Sequence, residues 1–210
     1  MQSLNLSKTI SKLMTDHTKG NQMTRKITGT VLLFTALLTT NLYAKQPSFE
    51  KTLSSDGITF KVVTTGEGSL RQLTITPSGL EIDNTPIKKE IEGSVSGVEI
   101  ADINTDGSPE IYIYITSAGS GSYGSLVAYS ANKKKSLSEI YLPPLEDDKI
   151  NSVGYMGHDE FTIMENSLAR HFPVYNKGDA NCCPKGGIRQ LQYKLIAGEA
   201  GWQLKLRKTK

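Results

Sequence analysis

The chain has 210 residues, with 24 Lys or Arg against 21 Asp or Glu and a formal net charge of +3. The excess sits in the first 44 residues, whose five Lys or Arg and one Asp carry +4 and leave −1 for the remainder. A remainder of that charge argues against a basic nucleic-acid-binding face, and residues 45–210 are enough for one domain with a sizeable core.

In chain order, the first predicted element is a leader. Arg25 and Lys26 supply a positive n-region, and Val31-Leu32-Leu33-Phe34-Thr35-Ala36-Leu37-Leu38 an apolar h-region. Asn41-Leu42-Tyr43-Ala44 then offers a cleavage site ending in a small residue. The apolar run is far short of the ~20 residues a membrane span needs, so no span is expected. Met23 stands where such a leader begins. Residues 1–22 therefore read as an over-extended start, 23–44 as a signal peptide and 45–210 as the mature domain. Lys45, not a cysteine, follows the cleavage point, which argues for a soluble product rather than a lipid-anchored one.

The mature segment reads as short strands. Ile58 to Thr65 is rich in β-formers, and Arg71 to Thr76 alternates polar with apolar residues, with glycine turns at 66, 68 and 79. Val98 to Ile103 and Glu110 to Thr116 flank Asn104-Thr105-Asp106-Gly107-Ser108-Pro109. Glu110-Ile-Tyr-Ile-Tyr-Ile-Thr116 is the clearest strand, β-branched and aromatic throughout. Leu126 to Tyr129 and Leu137 to Leu142 follow, stopped by Pro143-Pro144. Two hairpins close the chain, Phe161 to Met164 with Leu168 to Tyr175 and Leu191 to Ile196 with Trp202 to Leu206. No long segment carries a helical period. The expectation is an all-β antiparallel sandwich or barrel-like single domain.

The only cysteines, Cys182 and Cys183, are adjacent. Neighbouring Cα atoms lie about 3.8 Å apart, below the usual ~4.4–6.8 Å disulfide window. A vicinal bridge, an intermolecular bridge and two free thiols all stay open.

Ser117-Ala118-Gly119-Ser120-Gly121-Ser122-Tyr123-Gly124-Ser125 is the most unusual stretch and should form an exposed hairpin loop. Its formal GxGxxG match fails, because a strand follows where a dinucleotide fingerprint needs a helix. Ser122 with His158 or His171 as base would make a small hydrolase, but a nucleophile elbow also needs a strand-turn-helix setting. From the residues alone a plain Gly/Ser hairpin connector and a binding loop both stay open, and the binding reading has a physical basis. Gly119, Gly121 and Gly124 keep it thin, Ser120 and Ser122 offer hydroxyls, and Tyr123 is a rigid amphipathic anchor.

Asp102, Asn104, Asp106 and Glu110 resemble the first half of a calcium loop. Ile113 stands where an EF-hand has its bidentate Glu, so an Asx-type turn is favoured and an exported calcium-dependent binding module is the alternative. Lys133-Lys134-Lys135 reads as a solvated turn. Gly157-His158-Asp159-Glu160 offers too few ligands together for a metal site.

Several of these stretches together resemble the periplasmic inhibitors of invertebrate-type (I-type) lysozymes. They are Asp102 to Tyr114, Ser117 to Gly124, Ser136 to Leu145, Gly157 to Phe161, Arg189 to Lys194 and Gly198 to Trp202. The resemblance implies a β-sandwich or barrel-like fold, no catalytic activity, no cofactor and a periplasmic location. The partner it implies is an I-type lysozyme, while monomer and homodimer both stay open. It also implies that a Ser-Gly-x-Tyr loop, here Ser120-Gly121-Ser122-Tyr123, enters the lysozyme cleft, with Ser120 and Tyr123 making the key contacts. The adjacent cysteines are no part of that pattern.

Overall fold

Alternation of buried and exposed side chains organises residues 48–207, which are those the computed structural model describes. The leader, its cleavage near Ala44 and the reading of residues 1–22 lie outside the described residues. No helix among the described residues is long and apolar enough to cross a membrane.

Strands β1 (Phe49–Ser55), β2 (Ile58–Thr65), β3 (Leu70–Ser78) and β4 (Ile87–Glu92) form an antiparallel sheet in sequence order. The other eight are β5 (Ser94–Ala101), β6 (Glu110–Thr116), β7 (Gly124–Asn132), β8 (Ser136–Tyr141), β9 (Glu160–Met164), β10 (Ser167–Pro173), β11 (Ile188–Ala197) and β12 (Trp202–Leu206). They form a second sheet in the order β5-β6-β7-β8-β12-β11-β10-β9. Its one parallel joint, β8 to β12, places Trp202 opposite Ile140, and the Trp202 indole N–H donates to Asn132 Oδ1 at 2.7 Å. The sheet curls until its edges approach, and the Ile163 N–H on β9 donates to the Glu99 carboxylate on β5 at 3.2 Å. The result is a nearly closed barrel.

The small sheet packs on one outer wall of this barrel. In β2 every second residue is buried (Ile58, Phe60, Val62, Thr64), as the period of a half-covered strand requires. Ile58, Phe60 and Val62 meet Leu73, Ile75 and Ile91 of their own sheet and Val98, Ile111, Ile113, Ile115, Val127, Tyr129 and Ala131 of the barrel wall. Tyr112, Tyr114 and Ala128 point the other way, into a barrel interior with Leu168, Phe172, Leu191, Tyr193 and Leu204. Strand β6 is thus buried on both faces, which explains its unbroken apolar and aromatic composition.

The sandwich and barrel alternatives read from the sequence are combined in one all-β domain. Cys182 and Cys183 are joined to each other, with Cα atoms 3.8 Å apart, in the loop between β10 and β11. Of the three open states of the cysteines, the vicinal bridge is the one present.

Candidate functional site

Strands β6 and β7 pair from Glu110 opposite Ser130 to Thr116 opposite Gly124, and the Ser/Gly-rich loop joins them as the sequence implied. The loop closes on itself. Ser117 N–H donates to Tyr123 O, Tyr123 N–H to Ser117 Oγ, and Ser122 N–H to Gly119 O, each at 2.9 Å. Gly119 and Ser120 are exposed, Gly121 and Ser122 half-buried, and Tyr123 presents an exposed ring.

The expected thinness applies at two of the three glycines. A Cβ on Gly121 would lie 2.5 Å from the Tyr123 ring, and one on Gly124 would lie 2.5 Å from Asp159 Cβ. Gly119 has nothing within 4 Å of that position, so no close approach requires a glycine there. Beside Tyr123 a cleft of about 710 Å³ opens at this end of the barrel, with Tyr155, Arg170, Pro143, Pro144 and Trp202 also in its walls.

A second segment, residues 155–159, grips the loop. His158 N–H donates to Gly121 O at 2.7 Å, and Gly124 N–H donates to Asp159 Oδ2 at 2.7 Å. Tyr155 meets the Tyr123 ring edge-on at 5.6 Å between centroids, a favoured aromatic geometry. Behind this contact lies a closed polar triangle. Arg170 Nε donates to Asp159 Oδ1 at 2.7 Å, Arg170 Nη2 to the Tyr155 hydroxyl at 2.8 Å, and that hydroxyl to Asp159 Oδ2 at 2.7 Å. The side chains of Asp159 and Arg170 are 0% and 5% exposed. The guanidinium also lies 5.1 Å, 5.4 Å and 5.8 Å from the ring centroids of Tyr155, Phe161 and Phe172.

Electrostatics follow from that burial. Desolvation opposes the Arg170 charge, but the Asp159 carboxylate outweighs it and raises the guanidinium pKa. Burial first, then the bond to Asp159, pushes the Tyr155 phenol well above its ordinary value. The sequence reading missed this triangle, noting Asp159 only as a weak metal ligand. The available signal was a guanidinium at Arg170 inside a strand otherwise reading Ser-Leu-Ala-x-His-Phe-Pro, since a charge among buried neighbours calls for a partner.

The remaining candidates fall elsewhere. The 102–109 turn sits at the opposite end of β6 from the Ser/Gly loop. Asp102 accepts from the N–H groups of Asp106 and Gly107, Asn104 from Asp106 N–H, and Asp106 from Ser108 N–H, all between 2.8 and 3.1 Å. This is the Asx-type turn the sequence favoured. Carboxylate oxygens of Asp102, Asp106 and Glu110 lie within 4.8 Å of one another, and Ile103 N–H donates to the buried Glu110 at 2.9 Å. Neither His158 nor His171 is hydrogen-bonded to Ser122 among the described residues. His171 Nε2 lies 2.8 Å from Glu160, while the buried Nε2 of His158 has no hydrogen-bond partner among the described residues.

Compared with known proteins, residues 87–154 match the model of one family, described as PliI: Periplasmic lysozyme inhibitor of I-type lysozyme. The matched stretch runs from β4 through the whole Ser/Gly loop and ends before Asp159 and Arg170. Over it, the resemblance read from the sequence is borne out, and the family it names is one of inhibitors and not of catalysts. No curated protein and no solved structure matches the chain.

Proposed function

We propose that this protein is an exported inhibitor of an invertebrate-type lysozyme and blocks the enzyme by placing the 117–123 loop in its active-site cleft. The observation that carries this reading is the presentation of Tyr123, 46% exposed on a loop otherwise tied down at both ends. That the same loop lies inside the family-matched segment supports it. The periplasmic setting of that family and the leader-like residues 23–44 support export.

The mechanism follows from the target's chemistry. A glycosidase cleft holds two carboxyl groups, one acting as acid and the other as nucleophile or base. The exposed Ser120 hydroxyl donates to one of them, and a hydrogen bond to a carboxylate is stronger than one between neutral groups. Tyr123 fills a sugar subsite with its ring and bonds a polar wall group with its hydroxyl. Gly119 and Gly121 flank Ser120, Ser122 links Gly121 to Tyr123, and Gly124 anchors the loop's end against Asp159. Substrate is excluded by occupancy, and the inhibitor performs no chemistry. The calcium-module and hydrolase alternatives draw less support, since the family matched over 87–154 is described as neither and no imidazole is hydrogen-bonded to Ser122 among the described residues.

The test is a turbidity assay of cell-wall lysis with invertebrate-type, chicken-type and goose-type lysozymes side by side. Inhibition of the invertebrate-type enzyme alone is expected. Ser120→Ala and Tyr123→Ala should each weaken it by about tenfold or more, the scale of a lost charge-assisted bond or a buried aromatic anchor. Undiminished inhibition by the double variant would remove the loop from the mechanism.

A further inference from the structure

We infer that Asp159, Arg170 and Tyr155 are positioning residues for the 117–123 loop: a polar triangle, its ion pair buried and its tyrosine half-buried, fixes the loop's recognition geometry from behind. The inference rests on the inhibitor reading above and assigns a role to residues outside the family-matched segment.

Stability alone gives this triangle no reason to exist. Removing two charges from water is expensive, and an apolar set of similar volume commonly serves a core as well or better. The surroundings here are suited to such a set, since Phe161, Phe172 and the Tyr155 ring already pack around the guanidinium. What an apolar set would lack is an acceptor for the loop. Asp159 turns one carboxylate oxygen to Arg170 and the other to both the Tyr155 hydroxyl and the Gly124 N–H. Gly124 directly follows Tyr123 and is the first residue of β7. The carboxylate therefore sets where the recognition loop ends and the strand begins.

The same short segment makes two further contacts. Tyr155 supports the Tyr123 ring from below. His158 N–H holds Gly121 O, and the fit there is tight enough that a Cβ on Gly157 would lie 2.0 Å from that oxygen. Segment 155–159 thus makes two contacts with the seven-residue loop and a third with Gly124, the residue that follows it. Holding a binding loop in its bound shape before encounter removes an ordering cost from association, and groups locked by hydrogen bonds behind a site are how such precision is achieved.

The deciding experiment compares the full chain with Tyr155→Phe, Asp159→Asn and a Tyr123→Ala control. Amide hydrogen exchange at Gly124 and His158 is read against Val62 and Ile75 in the small sheet, alongside melting temperature and inhibition of an invertebrate-type lysozyme. Asp159→Asn strips a buried guanidinium of its counter-charge and is expected to destabilise the fold, so Tyr155→Phe, which keeps the ion pair, decides. Its expected result is exchange about tenfold faster at Gly124 and His158 and inhibition about tenfold weaker, in line with a lost hydrogen bond to a charged group. The lost bond should lower the melting temperature by a few degrees at most, with Gly124 and His158 speeding more than Val62 and Ile75; equal acceleration at all four amides would mean a merely structural role and overturn the inference. Parent-level exchange at Gly124 and His158, or parent-level inhibition despite faster exchange, overturns the positioning role while Tyr123→Ala still shows the loop to matter. Parent-level inhibition by Tyr123→Ala overturns the loop reading itself, and the positioning role with it.

Discussion

The two cores of this protein are built on opposite principles. Between the small sheet and the barrel wall lie Ile58, Phe60, Val62, Leu73, Ile75, Ile91, Ile111, Ile113 and Tyr129, aliphatic but for one phenylalanine and one tyrosine. Inside the barrel, the apolar residues share space with Glu110, Asp159, Arg170 and several tyrosines. The first core holds by burial and dispersion, which are non-directional. The second contains directional bonds that end on a surface loop. A core that only has to cohere can be oily, whereas one that must hold a loop in place needs acceptors at fixed points.

The sharpest way to break this contrast is in the oily core. Phe60 is fully buried there, and Phe60→Ala should cost about 3–5 kcal/mol of stability, from lost transfer energy and the cavity left behind. Urea unfolding reads it, and a loss under about 1 kcal/mol would mean that this core collapses around the gap as a well-packed one does not.

The next effect belongs to the barrel and depends on pH. Burial raises the Glu110 carboxyl to about 7, bonds from Ile103 N–H and Ser130 oppose the rise, and the charges on Asp102 and Asp106 add to it. The unfolded chain would release this proton near 4.5 and the folded one near 7. Folding therefore takes up a proton between those values. Its stabilising contribution is complete below about 4.5 and is lost as pH rises through about 7, a change of about 3 kcal/mol in all. Glu110→Gln should remove that slope, so urea unfolding at several pH values should show the variant gaining on its parent from pH 5 to 8. Parallel curves would mean that the barrel tolerates the charge. No such slope between pH 5 and 8 is expected from the oily core, whose one titratable buried member, Tyr129, has its phenol pushed above its ordinary value by burial.

The smallest effect is on the outside of the small sheet. Lys61 and Glu50 pair across β1 and β2 at 2.7 Å with half-exposed side chains. Water screens such a pair, so Lys61→Ala should change the unfolding midpoint by no more than about 0.5–1 kcal/mol equivalent. A larger loss would place part of the small sheet's stability in its charges.

Strands with an alternating or unbroken apolar pattern were legible in the sequence, and two edge strands were not. Strand β1 (Phe-Glu-Lys-Thr-Leu-Ser-Ser) has little buried surface, and β4 (Ile-Lys-Lys-Glu-Ile-Glu) is mostly charged. Charge on an edge protects against unwanted pairing and at the same time erases the pattern that marks a strand. A signal for β1 existed in Asp56-Gly57, both at positive φ in a two-residue hairpin turn. The β9 to β10 turn is also shorter than read, since Ser167 already pairs with Met164.

That residues 117–123 form an exposed loop between two strands was legible, because a Gly/Ser-rich run there separates two strand patterns. Its foundation was not. Asp159 and Arg170 meet only because the β9 to β10 register sets Arg170 opposite Phe161, and the tie to Gly124 spans 35 residues. Such contacts are made by topology, to which local pattern is blind.

Strand β6 gives one face to each core and ends at the loop. It works as a party wall: neither room can be dismantled while the other stands. The small sheet and the barrel should consequently melt in one transition, and substitutions in β6 should be the least tolerated in the domain. The loop at its end, rich in glycine and serine, is therefore rooted in a strand that both rooms hold.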